Sequence, residues 1–274
     1  SHHQRPARGS SPGAMAREHG ALSIVDAVTS LAGIPLEVDA WGVDAIYSGS
    51  QKCLSAPPGI SPVSFNARAL DAIHRRRAKP PSWFLDLRLV MDYWGDGRRS
   101  YHHTAPVNAI YALHEALLAV KREGLENAWA RHRRMHHALR AGVEAINLAF
   151  LVEEEYRLPQ LNAIKVPAGI DQAQVRATLL RDHHLEIGAG LGALSGAVWR
   201  IGLMGHACSE RNVLLCLDAL EQALLVQDHR CDRGAAVDAA ERSLRESEGS
   251  QASQDSQSSN ASQTSQTSNP PRAA

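Results

Sequence analysis

VDAIYSGSQKCLSAPPGISPVSF, residues 43–65, sets two short apolar runs, VDAIYS (43–48) and SPVSF (61–65), around a loop of small and turn-forming residues that holds one lysine, Lys52. Short runs rich in β-branched or aromatic side chains and stopped by polar or small residues read as strands. A third run of this kind, LSIVD (22–26), lies upstream. Their near-continuous apolar character predicts strands buried on both faces of a parallel sheet.

Outward from this core, Asn66 is placed to cap a helix in ARALDAIHRRR, and the basic run Arg75 to Arg77 suits its C-terminal end. Residues 107–122 put Ile110, Leu113, Leu117 and Val120 on one helical face, and Gly124 closes the segment before another helical pattern from 125 to about 147. The texture then changes. LNAIKVP (161–167), LEIG (185–188) and AVWRIGL (197–203) read as strands, between helices capped by Asp171 and Ser209, which predicts a small α+β domain. The expected organisation is a disordered leader over 1–20, a partial large domain over 21–124, a small α+β domain over 125–228 and a disordered Ser/Gln-rich tail over 229–274.

Composition narrows the function. The 274 residues and 44% hydrophobic content are enough for a real core, and 29 basic against 29 acidic residues leave no global field to draw the chain to nucleic acid or an anionic membrane. No run reaches the roughly 18–20 consecutive apolar residues of a membrane span, and residues 1–20 lack the apolar core of a signal peptide. Cys53, Cys208, Cys216 and Cys231 form no C-x-x-C pair, which fits a reducing compartment. The chain therefore reads as soluble and intracellular, with cytoplasm, peroxisome and mitochondrion left open.

A lysine attacks a carbonyl only as the free amine, which burial or a neighbouring cation favours. Lys52 lies where a strand end would supply that burial. Schiff-base chemistry with pyridoxal 5'-phosphate (PLP) also needs an acid facing the pyridine nitrogen, donors for the phosphate and a cation for the substrate carboxylate. Asp26, at the end of LSIVD, can lie at the carboxyl edge of the sheet, where open α/β folds bind ligands. Strands also end in aspartate to cap or turn, and a lone lysine is most often a solvated one.

The segments SIVDAVTSLAG, YSGSQKCLSAPPG, YHHTAPV and VWRIGLMG occur in the order found in the alanine–glyoxylate and serine–pyruvate aminotransferases, which the chain resembles over about residues 21–226. The resemblance implies the type I fold of PLP-dependent transferases, here the C-terminal part of the large mixed-sheet α/β domain followed by the small α+β domain. It implies that Lys52 carries the Schiff base, that Gln51 contacts the cofactor, and that Asp26 pairs with the pyridine nitrogen, with Ser30 in the same motif. It further implies that Tyr101 and Thr104 reach the cofactor phosphate of a neighbouring subunit in a homodimer, and that Arg200 holds the substrate α-carboxylate. The activity so implied is transamination from alanine or serine to glyoxylate or pyruvate. The family's catalytic domain begins before the strand matching LSIVD, so the chain reads as an N-terminally truncated member, and a catalytically inactive fragment is the alternative.

Other features carry plainer readings. His102 and His103, and His132, His136 and His137 on a helix, have no carboxylate arranged with them as in a zinc site and read as packing or surface residues. Arg200 could lie on the solvated face of an edge strand. IGAGLGALSG (187–196) lacks the ending of a phosphate loop and leads into a strand; the resemblance suggests a mobile loop near the substrate entrance. A related PLP lyase or desulfurase would need a catalytic cysteine. Cys53, adjacent to Lys52, would point to the opposite face of an extended chain.

Overall fold

The computed structural model describes residues 11–95, 97 and 100–264, which divide into two compact units between Trp129 and Ala130. The first begins with helix α1 (Pro12–Glu18), inside the stretch expected to be disordered. Ser11 accepts a hydrogen bond from the Ala14 N–H and Pro12 stands at the first helical position, so the residues that read as breakers are start signals.

Strands β1 (Ile24–Asp26) and β2 (Ala45–Tyr47) pair in parallel, with Ile24 beside Ala45 and Asp26 beside Tyr47. Strand β3 (Val63–Phe65) pairs antiparallel to β2, so the three-stranded sheet is mixed rather than parallel. The strands fall where the apolar runs predict them, but they are not buried on both faces, and Ile24 is 71% exposed. Helices α2 (Ala67–Arg75) and α3 (Leu87–Trp94) leave a cavity of about 260 Å³ lined by Ile24, Ala45, Phe65, Ala69, Ile73 and Leu87, among others. The apolar side chains of β1 and β3 are therefore only partly covered.

A buried carboxylate ties this unit together. Asp44 accepts from the Ser23 N–H at 2.8 Å, from the Asn66 amide at 3.0 Å and from the Arg68 guanidinium at 2.8 Å. Burial pushes its carboxyl up, but the hydrogen bonds from Ser23, Asn66 and Arg68 outweigh it and hold the group at about 2. Asn66 also caps α2 by accepting from the Ala69 N–H at 2.9 Å, as its position predicts. Helix α4 (Val107–Glu123) has the predicted extent, yet none of its residues is buried; Ile110 and Leu117 of the expected core stripe are exposed.

Helix α5 (Leu125–Ala145) leads into the second unit. Strands β4 (Leu161–Lys165), β5 (Gly188–Ala189) and β6 (Val198–Gly202) form an antiparallel sheet in the order β4-β6-β5, interleaved with α6 (Gln172–His183) and followed by α7 (Glu210–Leu225). Asp171 and Ser209 cap α6 and α7 as expected. Leu139, Val143, Ile146, Ile164, Trp199, Leu217 and Leu220 fill one continuous core.

The tail expected to be disordered from residue 229 contributes to that core. Helix α8 (Ala235–Thr264) buries Ala236, Ala240 and Leu244, which recur every fourth residue along one face. Glu221 of α7 accepts from the Gly234 N–H at 2.6 Å and the Ala236 N–H at 3.1 Å, satisfying donors at the start of α8. Two of the three buried residues are alanines, so the apolar period is faint in the sequence. Among the described residues no helix is long and apolar enough to cross a membrane.

Candidate functional site

The carboxyl ends of β1 and β2 carry the first set of candidate residues. Because the strands are parallel, both chains leave the sheet at the same edge. The Ala27 N–H donates to the Tyr47 carbonyl at 2.9 Å, and the Ser48 hydroxyl donates to the Ala27 carbonyl at 3.0 Å. The lysine loop then folds over this edge. The Cys53 thiol lies 3.3 Å from the Thr29 carbonyl, joining the segment after Lys52 to the segment after Asp26.

Within the loop, the Ser50 hydroxyl donates to the Pro57 carbonyl at 2.6 Å, and the Ala56 N–H donates to the Ser50 carbonyl at 3.0 Å. The serines of YSGSQK thus hold the loop closed. A Cβ at Gly49 would stand 2.8 Å from Gln51 Oε1, so glycine is what lets Gln51 fold back there. Lys52 is half-buried, Gln51 exposed and Cys53 buried. The burial expected around the lysine is partial, because the loop packs on one strand edge only.

Asp26 is exposed, but both of its oxygens are engaged: Oδ1 accepts from the Val28 N–H at 2.8 Å and Oδ2 from the Tyr47 hydroxyl at 2.9 Å. Tyr47 escapes the sequence reading, although its position directly before SGSQK in a strand parallel to LSIVD was the available signal.

Tyr101 and Thr104 lie together, their hydroxyls 2.7 Å apart, and Tyr101 is 72% exposed. Between them His102 is buried, stacked on Trp83 at 4.2 Å with Nε2 3.2 Å from the Trp83 carbonyl, which is a packing role.

Arg200 belongs to the second unit. It sits on β6 between buried Trp199 and Ile201, and its Nε donates to the Ala189 carbonyl at 2.7 Å. β6 is the central strand of its sheet, so the edge-strand reading is corrected: a central position pins the backbone on both sides and leaves the guanidinium against Gly188. Gly188–Ala189, expected within a mobile loop, is strand β5. Gly190 is obligatory there, since a Cβ would fall 1.9 Å from the Leu194 carbonyl oxygen.

His132 and His136 of α5 have structural partners. His132 Nε2 accepts from the Gly205 N–H at 3.1 Å, and His136 Nδ1 shares a 2.7 Å hydrogen bond with Asn162 Oδ1. Among the described residues no group of three His, Cys, Asp or Glu could hold a metal.

The donor set at the β1/β2 edge fits PLP on two counts. An amine for the aldehyde and a carboxylate for the ring nitrogen follow the ends of two parallel strands at one edge, and Gly49 leaves room for the Gln51 amide to fold back over the loop. The Ser48 and Ser50 hydroxyls are already committed to carbonyls.

Comparison with known proteins gives a consistent picture. A family model described as aminotransferase class-V matches residues 11–210. The chain is 37% identical over 246 residues to the (S)-ureidoglycine–glyoxylate transaminase of Bacillus subtilis, covering 83% of this chain and 59% of that protein. It is 41% identical over 215 residues to the alanine–glyoxylate aminotransferase of Callithrix jacchus, covering 77% and 52% respectively. Among solved structures, an alanine–glyoxylate aminotransferase from Nostoc sp. aligns with a TM-score of 0.75 and 48% identity over 77% of this chain and 56% of that one. A pyridoxamine–pyruvate aminotransferase from Mesorhizobium loti aligns with a TM-score of 0.78 and 29% identity, covering 86% of this chain and 60% of that one. The chain spans between 52% and 59% of the length of these two curated relatives.

Proposed function

The chain belongs to the class-V aminotransferase family and has part of the type I fold of PLP-dependent transferases, and from that premise we propose that it acts in PLP-dependent transamination. The amino group passes from alanine or serine to glyoxylate or pyruvate. Glyoxylate is named for both curated relatives, which supports it as the acceptor. The observation that carries the reading is the convergence of Asp26 and the Lys52 loop on one edge of β1 and β2, tied by the Ala27, Ser48 and Cys53 hydrogen bonds.

When bound, PLP supplies an electron sink for the bonds at the substrate Cα. In this proposal the Lys52 amine would hold the cofactor through its aldehyde, and the Nζ would carry a proton at the substrate Cα. Asp26 would pair with the ring nitrogen, and Gln51 would line the loop beside the cofactor. Arg200, whose planar guanidinium can grip a carboxylate through two parallel hydrogen bonds, holds the substrate. Tyr101 and Thr104 present their paired hydroxyls to the phosphate of a neighbouring subunit, and their exposure, with that of Ile110, Tyr111 and Leu117 on α4, supports a homodimer.

The cysteine-dependent alternative loses support because Cys53 is buried with its thiol on the Thr29 carbonyl. The rival reading is a chain that keeps the fold without turnover, favoured by the exposure of Asp26 and of the β1–β3 sheet. Cofactor loading, followed by turnover of alanine with glyoxylate, decides between them. Folded protein mixed with PLP should develop visible absorbance, lose it in Lys52→Ala and yield a borohydride-reduced adduct on Lys52 by mass spectrometry. A folded sample with no lysine-linked cofactor sinks the catalytic reading.

A further inference from the structure

The register of the parallel pair puts Asp26 and Tyr47 side by side at the ends of β1 and β2. The Tyr47 hydroxyl donates to Asp26 Oδ2 at 2.9 Å, while the Val28 N–H donates to Oδ1 at 2.8 Å. An exposed aspartate held by one oxygen can still swing about its terminal torsion, whereas donors to both oxygens fix the plane of the carboxylate. Each oxygen keeps a further acceptor position, so this anchoring leaves room for a ring N–H.

We propose that Tyr47 is a positioning residue of the cofactor site, its hydroxyl orienting the Asp26 carboxylate toward the pyridine nitrogen. The inference rests on the reading of Asp26 given above. The phenol carries the imprint of the contact: the hydrogen bond to Asp26, with smaller contributions from burial and from the negative charge of Asp26, raises the Tyr47 pKa above its ordinary value. The Tyr47 main chain adds to the coupling, since its carbonyl accepts from Ala27, the residue after Asp26.

Two measurements on the full chain test it. In cofactor-free protein labelled with ζ-carbon-13 tyrosine, the Tyr47 resonance, assigned by its loss in Tyr47→Phe, should titrate above the ordinary tyrosine value of about 10 and fall back in Asp26→Asn. Titration at the ordinary value, or indifference to Asp26→Asn, overturns the contact. With PLP added, Tyr47→Phe should bind the cofactor about three- to ten-fold more weakly, the size of one hydrogen bond, and shift the pH dependence of its visible absorbance. Wild-type uptake with an unchanged Tyr47→Phe profile overturns this proposal alone. No Lys52-linked absorbance in the wild type sinks the cofactor reading and takes this proposal with it.

Discussion

In the unit from Ala130 onward, Ile164 and Trp199 of the β4-β6-β5 sheet, Leu139 and Val143 of α5 and Leu217 and Leu220 of α7 are fully buried in one core. In the unit ending at Trp129, Ile24, Val63, Leu85, Trp94 and Ile110 are exposed, and the cavity beside α2 and α3 is lined mainly by apolar side chains. Both units are built from the same kinds of side chain. The difference is layering: Ile164, Trp199 and Ile201 of the second sheet share one buried core with side chains of α5, α6 and α7, while β1–β3 are three-residue strands whose side chains stay partly exposed. Apolar surface contributes roughly 25 cal/mol per Å² only once it leaves water, so the second unit should hold most of the stability. The candidate chemistry at Asp26 and Lys52 sits on the weaker frame.

The sharpest test of that contrast is Trp199→Ala. Trp199 is fully buried at the centre of β6, and its loss should cost about 3–5 kcal/mol. With 5-fluorotryptophan incorporated, Trp41, Trp83 and Trp94 report on the first unit by fluorine NMR, and Trp199 of the parent protein reports on the second. In Trp199→Ala, amide exchange of peptides from α7 and β4 should accelerate strongly while those of β1–β3 change little. Equal acceleration in both would mean that the two regions do not differ in the way their burial implies.

The next test concerns α8. A Cβ at Gly142 would stand 2.4 Å from Leu217 Cδ1 and 2.7 Å from the Ala236 carbonyl oxygen, one side chain of the core and one backbone atom of α8. Gly142→Ala should therefore destabilise the second unit by about 1–3 kcal/mol through overpacking. Its fluorine-detected urea midpoint at Trp199 should fall, and exchange in residues 235–249 should rise. An unchanged midpoint would show that α8 does not pack on α5 and α7 as described.

These particulars also show what the sequence could and could not reveal. Strand positions, the Asn66, Asp171 and Ser209 caps and the motif order were legible because each is a local signal: apolar runs, cap residues and short fixed spacings. What was not legible depends on distant partners. The sheet's mixed direction turns on how β3 pairs with β2, and no local feature of SPVSF records that. Helix α8 was missed because Ala236 and Ala240 contribute little hydrophobicity, although Gly142 and Glu221, far away in sequence, are shaped to receive them. Of the candidate site, Asp26, Gln51 and Lys52 were readable as motif residues, whereas the Tyr47 contact with Asp26 became visible only from the strand register. Arg200 was readable as a candidate, but its central place in the sheet was not.

The smallest expected effect separates the two units by pH. In the second unit, burial lowers the pKa of His136, against the hydrogen bond it donates to Asn162 Oδ1, and burial likewise lowers that of His137. The folded state therefore favours neutral imidazoles, while the unfolded chain takes up protons near 6.5, so their contribution is present above about pH 6.5 and is lost as pH falls below it. In the first unit Asp44 is held at about 2 against about 3.9 unfolded, so its contribution is intact above about pH 4 and is lost as pH falls from there toward 2. Between pH 7 and pH 5 the urea midpoint of the Trp199 fluorine signal should drop, while Asp44 leaves the signals of the first unit unaffected until the pH passes below about 4. A double variant, His136→Gln with His137→Gln, should flatten the Trp199 response in the upper window and leave the acid response of the first unit unchanged. If both sets of signals instead move together through pH 6, the two regions share one cooperative transition, and the contrast in their layering has no consequence for how they unfold.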